Sequence, residues 1–140
     1  MNKKYKKHIG KIGEDIASEF LANNGFEIID RNYQKRIGEI DIIGFKKGIL
    51  HFFEVKTVSR ETFNYIDIEK YKPEDNVTRE KVGKIEKTAQ IFLKEKGFTD
   101  EYVQVDLLTV YVLKKNKEEG IINDNNLNYL IKYFPNINFI

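Results

Sequence analysis

Two carboxylates and a lysine stand near one another in the sequence: Asp41 in Gly38-Glu39-Ile40-Asp41, then Glu54 and Lys56 in Phe53-Glu54-Val55-Lys56. Such a set suits chemistry that needs oxygen donors for a hard divalent cation and a positive charge to counter a developing negative one. Whether the three meet depends on the elements that carry them. Residues 37–45 and 49–58 are β-rich runs separated by Lys46, Lys47 and Gly48, a hairpin signal. With Lys47 and Gly48 as the turn, Lys46 faces Ile49, and the same register sets Asp41 opposite Glu54 and Glu39 opposite Lys56. Opposed residues share a face with Cβ atoms roughly 4.5–5.5 Å apart, so both carboxylates converge with Lys56 beside them. Like charges in direct opposition destabilise a sheet unless a cation offsets them.

Exposed strand faces carry Glu and Lys routinely, and a Glu39–Lys56 pair on such a face would be worth under ~1 kcal/mol. The apolar setting favours a site instead. Ile40, Ile42, Phe53 and Val55 fill the opposite face, while Ile37, Ile43, Leu50, Phe52 and Val58 flank the charged residues on their own. A sheet apolar on both faces is covered on both, and buried charge without a purpose is costly. Glu14 is a fourth candidate: on a helical wheel it borders the apolar arc beside Ala17 and Leu21, so it can lean over the sheet. The preference of a helix's first turn for acids is its competing explanation.

The elements that hold these groups follow from periodicity. Ile9, Ile12, Ile16, Phe20 and Leu21 recur at helical spacing over 9–22, and Asn23, Asn24 and Gly25 supply the stop. Residues 26–29 read as a short strand, followed by the polar Asp30, Arg31 and Asn32. Residues 59–77 are polar, carry Pro73 and read as a loop that includes Arg60, Lys70 and Lys72, with Arg79 nearby; a loop of this length is more often functional or mobile than ornamental. A second amphipathic helix over 78–96 presents Val82, Ile85, Ala89, Phe92 and Leu93 and closes at Gly97. Residues 102–113 alternate as a strand, and Leu127, Leu130, Ile131 and Phe134 stand at helical spacing before Pro135. The order predicts an α/β fold, a mixed β-sheet flanked by helices.

Composition bounds the chemistry. A chain of 140 residues, 41% hydrophobic and 33% charged, makes one domain with a real core, read here as 1–140 with a C-terminal extension over 121–140. With no Cys and only His8 and His51, disulfides, thiolate zinc sites and cysteine nucleophiles are excluded. Any metal must be held mainly by oxygen, which points to Mg²⁺ or Mn²⁺. The net charge of +2 conceals a basic N-terminal arm over 1–11, where Lys3, Lys4, Lys6, Lys7 and Lys11 precede the first acid, Glu14. Such an arm suits a nucleic-acid backbone, although a frayed, solvated terminus would look the same. No run approaches ~20 apolar residues and no signal-peptide pattern follows the basic start, so no membrane is expected and the cytoplasm is the expected location.

Gly13-Glu14, Gly25-Phe26 with Arg31-Asn32, Gly38-Glu39-Ile40-Asp41 and Phe53-Glu54-Val55-Lys56, in that order, resemble the bacterial YraN family, also called UPF0102. That family is similar in turn to archaeal Holliday-junction resolvases and the PD-(D/E)xK restriction-endonuclease-like superfamily. The resemblance spans roughly residues 10–112. It departs at Ile40, where the wider superfamily has Pro, and at Gln104-Val105-Asp106, where a basic residue is common two places before the Asp. It implies a restriction-endonuclease-like core and a nuclease acting on nucleic acid, DNA above all. Asp41, Glu54 and the Val55 carbonyl would bind Mg²⁺, and Glu14 would ligate it directly or through water. Lys56 would orient the attacking water or stabilise the transition state, leaving a 5′-phosphate. A two-fold substrate would suit a homodimer. The competing readings are a non-catalytic nucleic-acid-binding module of the same fold and a protein-interaction domain using the 127–134 helix.

Overall fold

Helix α1 (Lys3–Asn23) begins at Lys3 rather than Ile9, so the basic residues occupy its first turns and form no loose arm. Ile9, Ile12, Ala17 and Leu21 are buried along one side of it, as the spacing requires. The computed structural model describes residues 3–60, 77–98, 102–113 and 128–137. Most of the 59–77 loop, including Lys70 and Lys72, lies outside them, as does Leu127.

Five strands follow one another across a single sheet in the order β1 to β5: β1 (Glu27–Lys35), β2 (Gly38–Lys46), β3 (Ile49–Arg60), β4 (Tyr102–Leu113) and β5 (Asn128–Phe134). All neighbours are antiparallel except β3 and β4, which run parallel and are joined through helix α2 (Arg79–Lys96). Thr78 caps α2 by accepting the Lys81 N–H, and Gly97 closes it with φ 75°, a left-handed conformation that glycine adopts without strain. The helices cover opposite faces. Ile42, Phe53, Leu108, Val110 and Val112 pack under α1, while Ile43, Leu50, Phe52 and Val105 pack under Ile85, Ala89 and Phe92 of α2.

Two expectations are corrected here. The 127–134 segment is no helix: its described part is β5, an edge strand whose backbone pairs with β4 from Leu107↔Phe134 to Leu113↔Asn128. Over so short a window helical spacing is weak, and the open hydrogen-bonding edge of β4 decides the outcome. Strand β1 runs on through Asp30, Arg31 and Asn32 because an edge strand can carry polar residues toward solvent.

Alternation also fails farther along the β1–β2 pair, beyond a register shift between Ile28 and Asp30. Residues two apart in a regular strand share a face. Yet Ile42 packs in the α1 layer and Ile40 in the α2 layer. Opposite them, Arg31 reaches Asp15 on α1 at 2.8 Å, while Tyr33 stacks edge-on against Phe92 of α2. The change of face falls between the pairs Arg31↔Ile42 and Tyr33↔Ile40, where Asn32 adopts φ 54°. Ile37, expected inside, is 41% exposed.

Helix α1 crosses β3 at Gly13. A Cβ there would lie 1.8 Å from Thr57 Oγ1 and 2.7 Å from its Cβ. Thr57 is β-branched and cannot swing clear, so Gly13→Ala is expected to lower stability by about 1–3 kcal/mol, read as a lower Tm.

Candidate functional site

The β2–β3 hairpin keeps the expected register from Lys46↔Ile49 to Ile42↔Phe53, where the pairing ends. Beyond it β2 pairs only with β1, and β3 continues against β4. Asp41 therefore does not sit in a ladder opposite Glu54. Its carboxylate bridges the parting strands by accepting the Val55 N–H at 2.8 Å. Glu39 faces Gln34 of β1, accepting from its amide at 3.2 Å, in place of the expected partner Lys56.

The parting opens a cleft of about 710 Å³. Of the predicted residues, Lys6, Lys7, Glu14, Asp41, Val55 and Lys56 line it, together with Asn32 from β1 and Glu39 from β2. Glu54 is not part of this lining; it is buried, with Lys56 Nζ at 3.8 Å and Lys81 Nζ at 2.8 Å from its Oε1. Lys3, Lys4 and Lys11 are exposed on α1 and do not line the cleft, and Lys11 pairs with Asp15 at 3.3 Å.

The electrostatics follow from burial. Desolvation, with Glu54 next in effect, pushes the Asp41 carboxyl up to about 7 despite the Val55 hydrogen bond. Glu14 is also raised, by desolvation first, with Arg31 opposing. Burial and the neighbouring Lys81 ammonium hold Lys56 below the usual lysine value, against the pull of Glu54 and Asp41.

Among the described residues no three His, Asp or Glu side chains are grouped closely enough to cage an ion. The donor set suits a cation held by two crowded carboxylates and completed by water and phosphate, which is how Mg²⁺ is commonly bound. Asp41, desolvated and repelled by Glu54, is the acid whose charge such an ion would relieve.

Lys81 was not foreseen. It is the third residue of α2, and its only sequence signal is the Thr78 cap that fixes where the helix starts. Asp106 has a different role from any in the cleft. Wholly buried, it accepts from His51 Nδ1 at 2.6 Å, Tyr133 Oη at 2.6 Å, Gln104 Nε2 at 2.8 Å and the Asn136 N–H at 2.8 Å. Burial works against its charge, but these four donors prevail and hold its carboxyl below the ordinary range.

A mixed sheet with helices on both faces and an acid–lysine cleft where two central strands part is consistent with a restriction-endonuclease-like core. The chain belongs to the UPF0102 family: the family model described as "Uncharacterised protein family UPF0102" matches residues 13–110. It is similar to a "UPF0102 protein" of Dictyoglomus turgidum, 38% identical over 111 residues, covering 79% of this chain and 88% of the relative. Another, from Clostridium botulinum strain Loch Maree, is 36% identical over 132 residues and covers 93% of each chain. Among the described residues no helix is long and apolar enough to cross a membrane.

Proposed function

We propose that this chain is a metal-dependent nuclease that hydrolyses phosphodiester bonds in structured or branched nucleic acid. The observation that carries the proposal is the gathering of Asp41, Val55 and Lys56 in one cleft, with Glu54 against Lys56 and with Lys6 and Lys7 across the opening. Asp41, Glu54 and the Val55 carbonyl would hold Mg²⁺ or Mn²⁺, with Glu14 joining directly or through water. Such an ion, when bound, supplies activation of water and neutralises charge on the phosphate. Lys56, held below the usual lysine value by burial and Lys81, orients the attacking water or meets the charge developing on the phosphoryl oxygens. Lys6 and Lys7 hold neighbouring phosphates as point charges. DNA is the proposed substrate, and a homodimer would fit a two-fold one.

The test is incubation of the purified chain with four-way-junction, flapped, nicked and single-stranded DNA and with RNA, in Mg²⁺ or Mn²⁺. Cleavage by the native chain that disappears in Asp41→Ala supports the proposal. Cleavage of none of them, or cleavage unchanged in Asp41→Ala, overturns it.

One observation favours the second reading, a non-catalytic nucleic-acid-binding module: Lys81 already neutralises Glu54, in the place a metal would. On the nuclease reading that ammonium is a competitor. Lys81→Met is then expected to tighten Mn²⁺ binding by about 3–10-fold in calorimetry, since a charge close to the ion's oxygen donor is removed. No measurable Mn²⁺ binding to either protein would favour the binding module.

A further inference from the structure

Glycine inside a helix is unfavourable, so a mid-helix glycine calls for a reason. Helix α1 has two. Gly13 has its reason in the fold, since Thr57 occupies the space a side chain would need. Gly10, one turn earlier, does not: a Cβ placed there would meet no described residue within 4 Å. The backbone at Gly10 is half-buried and forms part of the wall of the cleft, between Lys6 and Glu14 on the same stripe of the helix. Across the cleft stand Asp41, Val55 and Lys56.

We infer that Gly10 is a substrate-contact position, where the sugar–phosphate backbone of the nucleic acid passes directly against the main chain of α1. The inference rests on the nucleic-acid reading of this cleft and adds a residue to it. The bare helix surface at Gly10 lets a phosphate held by Lys6 and Lys7 descend toward Asp41 and Lys56. A side chain at this position would point into the space the backbone must use and hold it away from those residues. Among the described residues no packing requires glycine here, and unlike Gly83 this open position lies in the wall of the cleft, where a ligand would meet it.

Gly83 provides a matched control. It also lies within a helix, α2, and a Cβ there likewise meets no described residue within 4 Å, but it does not line the cleft. The experiment compares Gly10→Ala, Gly10→Leu and Gly83→Ala with the native chain. Thermal unfolding is read first, then fluorescence anisotropy with a labelled four-way DNA junction and a labelled single strand in metal-free buffer at low salt. Both alanine variants are expected to gain roughly 2–4 °C in Tm, because alanine is the better helix former. Gly83→Ala binds as the native chain does. Gly10→Ala binds about 3–10-fold more weakly, and Gly10→Leu at least about 30-fold more weakly.

Affinity of Gly10→Leu within twofold of native would overturn the inference and leave the proposed function standing. Should Gly10→Leu fail to fold, Gly10→Ala decides in the same way: native affinity with a raised Tm overturns the inference. A native chain that binds neither probe overturns both.

Discussion

In Asp41→Asn, cleavage is expected to fall by roughly a thousandfold while the folded protein becomes more stable. The two effects have one origin. The Asp41 carboxyl is desolvated and crowded by Glu54, which raises it from the ordinary 3.8 to about 7. For an acid raised in the folded state, the stabilising contribution is fully present below the unfolded value and is lost as pH rises through the folded one. Between about pH 4 and pH 7 the native chain therefore loses stability, because the unfolded chain gives up the Asp41 proton that the folded one keeps. Asparagine carries no charge, and its carbonyl still accepts the Val55 N–H, so the strain of ionisation disappears with the bridge intact. At pH 7.5 the variant is expected to gain about 1–2 kcal/mol, several degrees in Tm, and to show a flatter stability profile between pH 4 and 7. Mn²⁺ should raise the Tm of the native chain and leave that of Asp41→Asn unchanged. An Asp41→Asn protein that melts below the native one would mean that Asp41 serves the fold and would remove the basis for the site.

Asp106→Ala is expected to do the reverse, costing about 3–5 kcal/mol, a large part of the 5–15 kcal/mol that holds a typical domain together. Asp106 ties three strands and the segment after Pro135 to one carboxylate: His51 comes from β3, Tyr133 from β5, and Asn136 follows the last strand. Removing the acceptor leaves these donors facing a cavity in a region water does not reach. The linkage with pH has the opposite sign to that of Asp41. Because Asp106 is depressed in the folded state, its contribution is present above the unfolded value, 3.8, and is lost as pH falls through the lower folded value. Acid denaturation of the native chain should therefore steepen below about pH 4, and Asp106→Asn should lack that part of the slope. Denaturant unfolding at pH 7 and pH 3 measures both effects; a loss below 1 kcal/mol for Asp106→Ala would refute the structural role.

The contrast between these two aspartates marks how far the sequence reaches. The β2–β3 hairpin was legible because Lys46-Lys47-Gly48 fixes the turn, and the turn fixes the register as far as Ile42↔Phe53. Helix α2 was legible to within a residue at each end, because Thr78 and Gly97 are its caps. Asp41, Glu54 and Lys56 could be gathered on that register, although they meet by a different geometry: the strands part, and Asp41 spans the gap. The departure begins between the pairs Arg31↔Ile42 and Tyr33↔Ile40, where the change of face falls, and no pattern of residue types announces a positive φ at an asparagine. Lys81 and the Asp106 network were hidden for a simpler reason. Their partners lie on other elements, Glu54 on β3 for Lys81, and His51 and Tyr133 on β3 and β5 for Asp106.

By itself, then, the sequence determined what local physics can determine. Periodicity and caps set the helices, a turn set the hairpin, and the absence of cysteine removed disulfides and thiolate ligands. The tertiary structure alone decided which charges share a dielectric. It pairs Glu54 with Lys81, seals Asp106 away from the cleft, makes a strand of 128–134, and turns the basic start of the chain into one wall of the site. Periodicity is a property of neighbours in the chain, whereas burial and long-range pairing depend on the packing of elements whose separation in sequence carries no information about their separation in space.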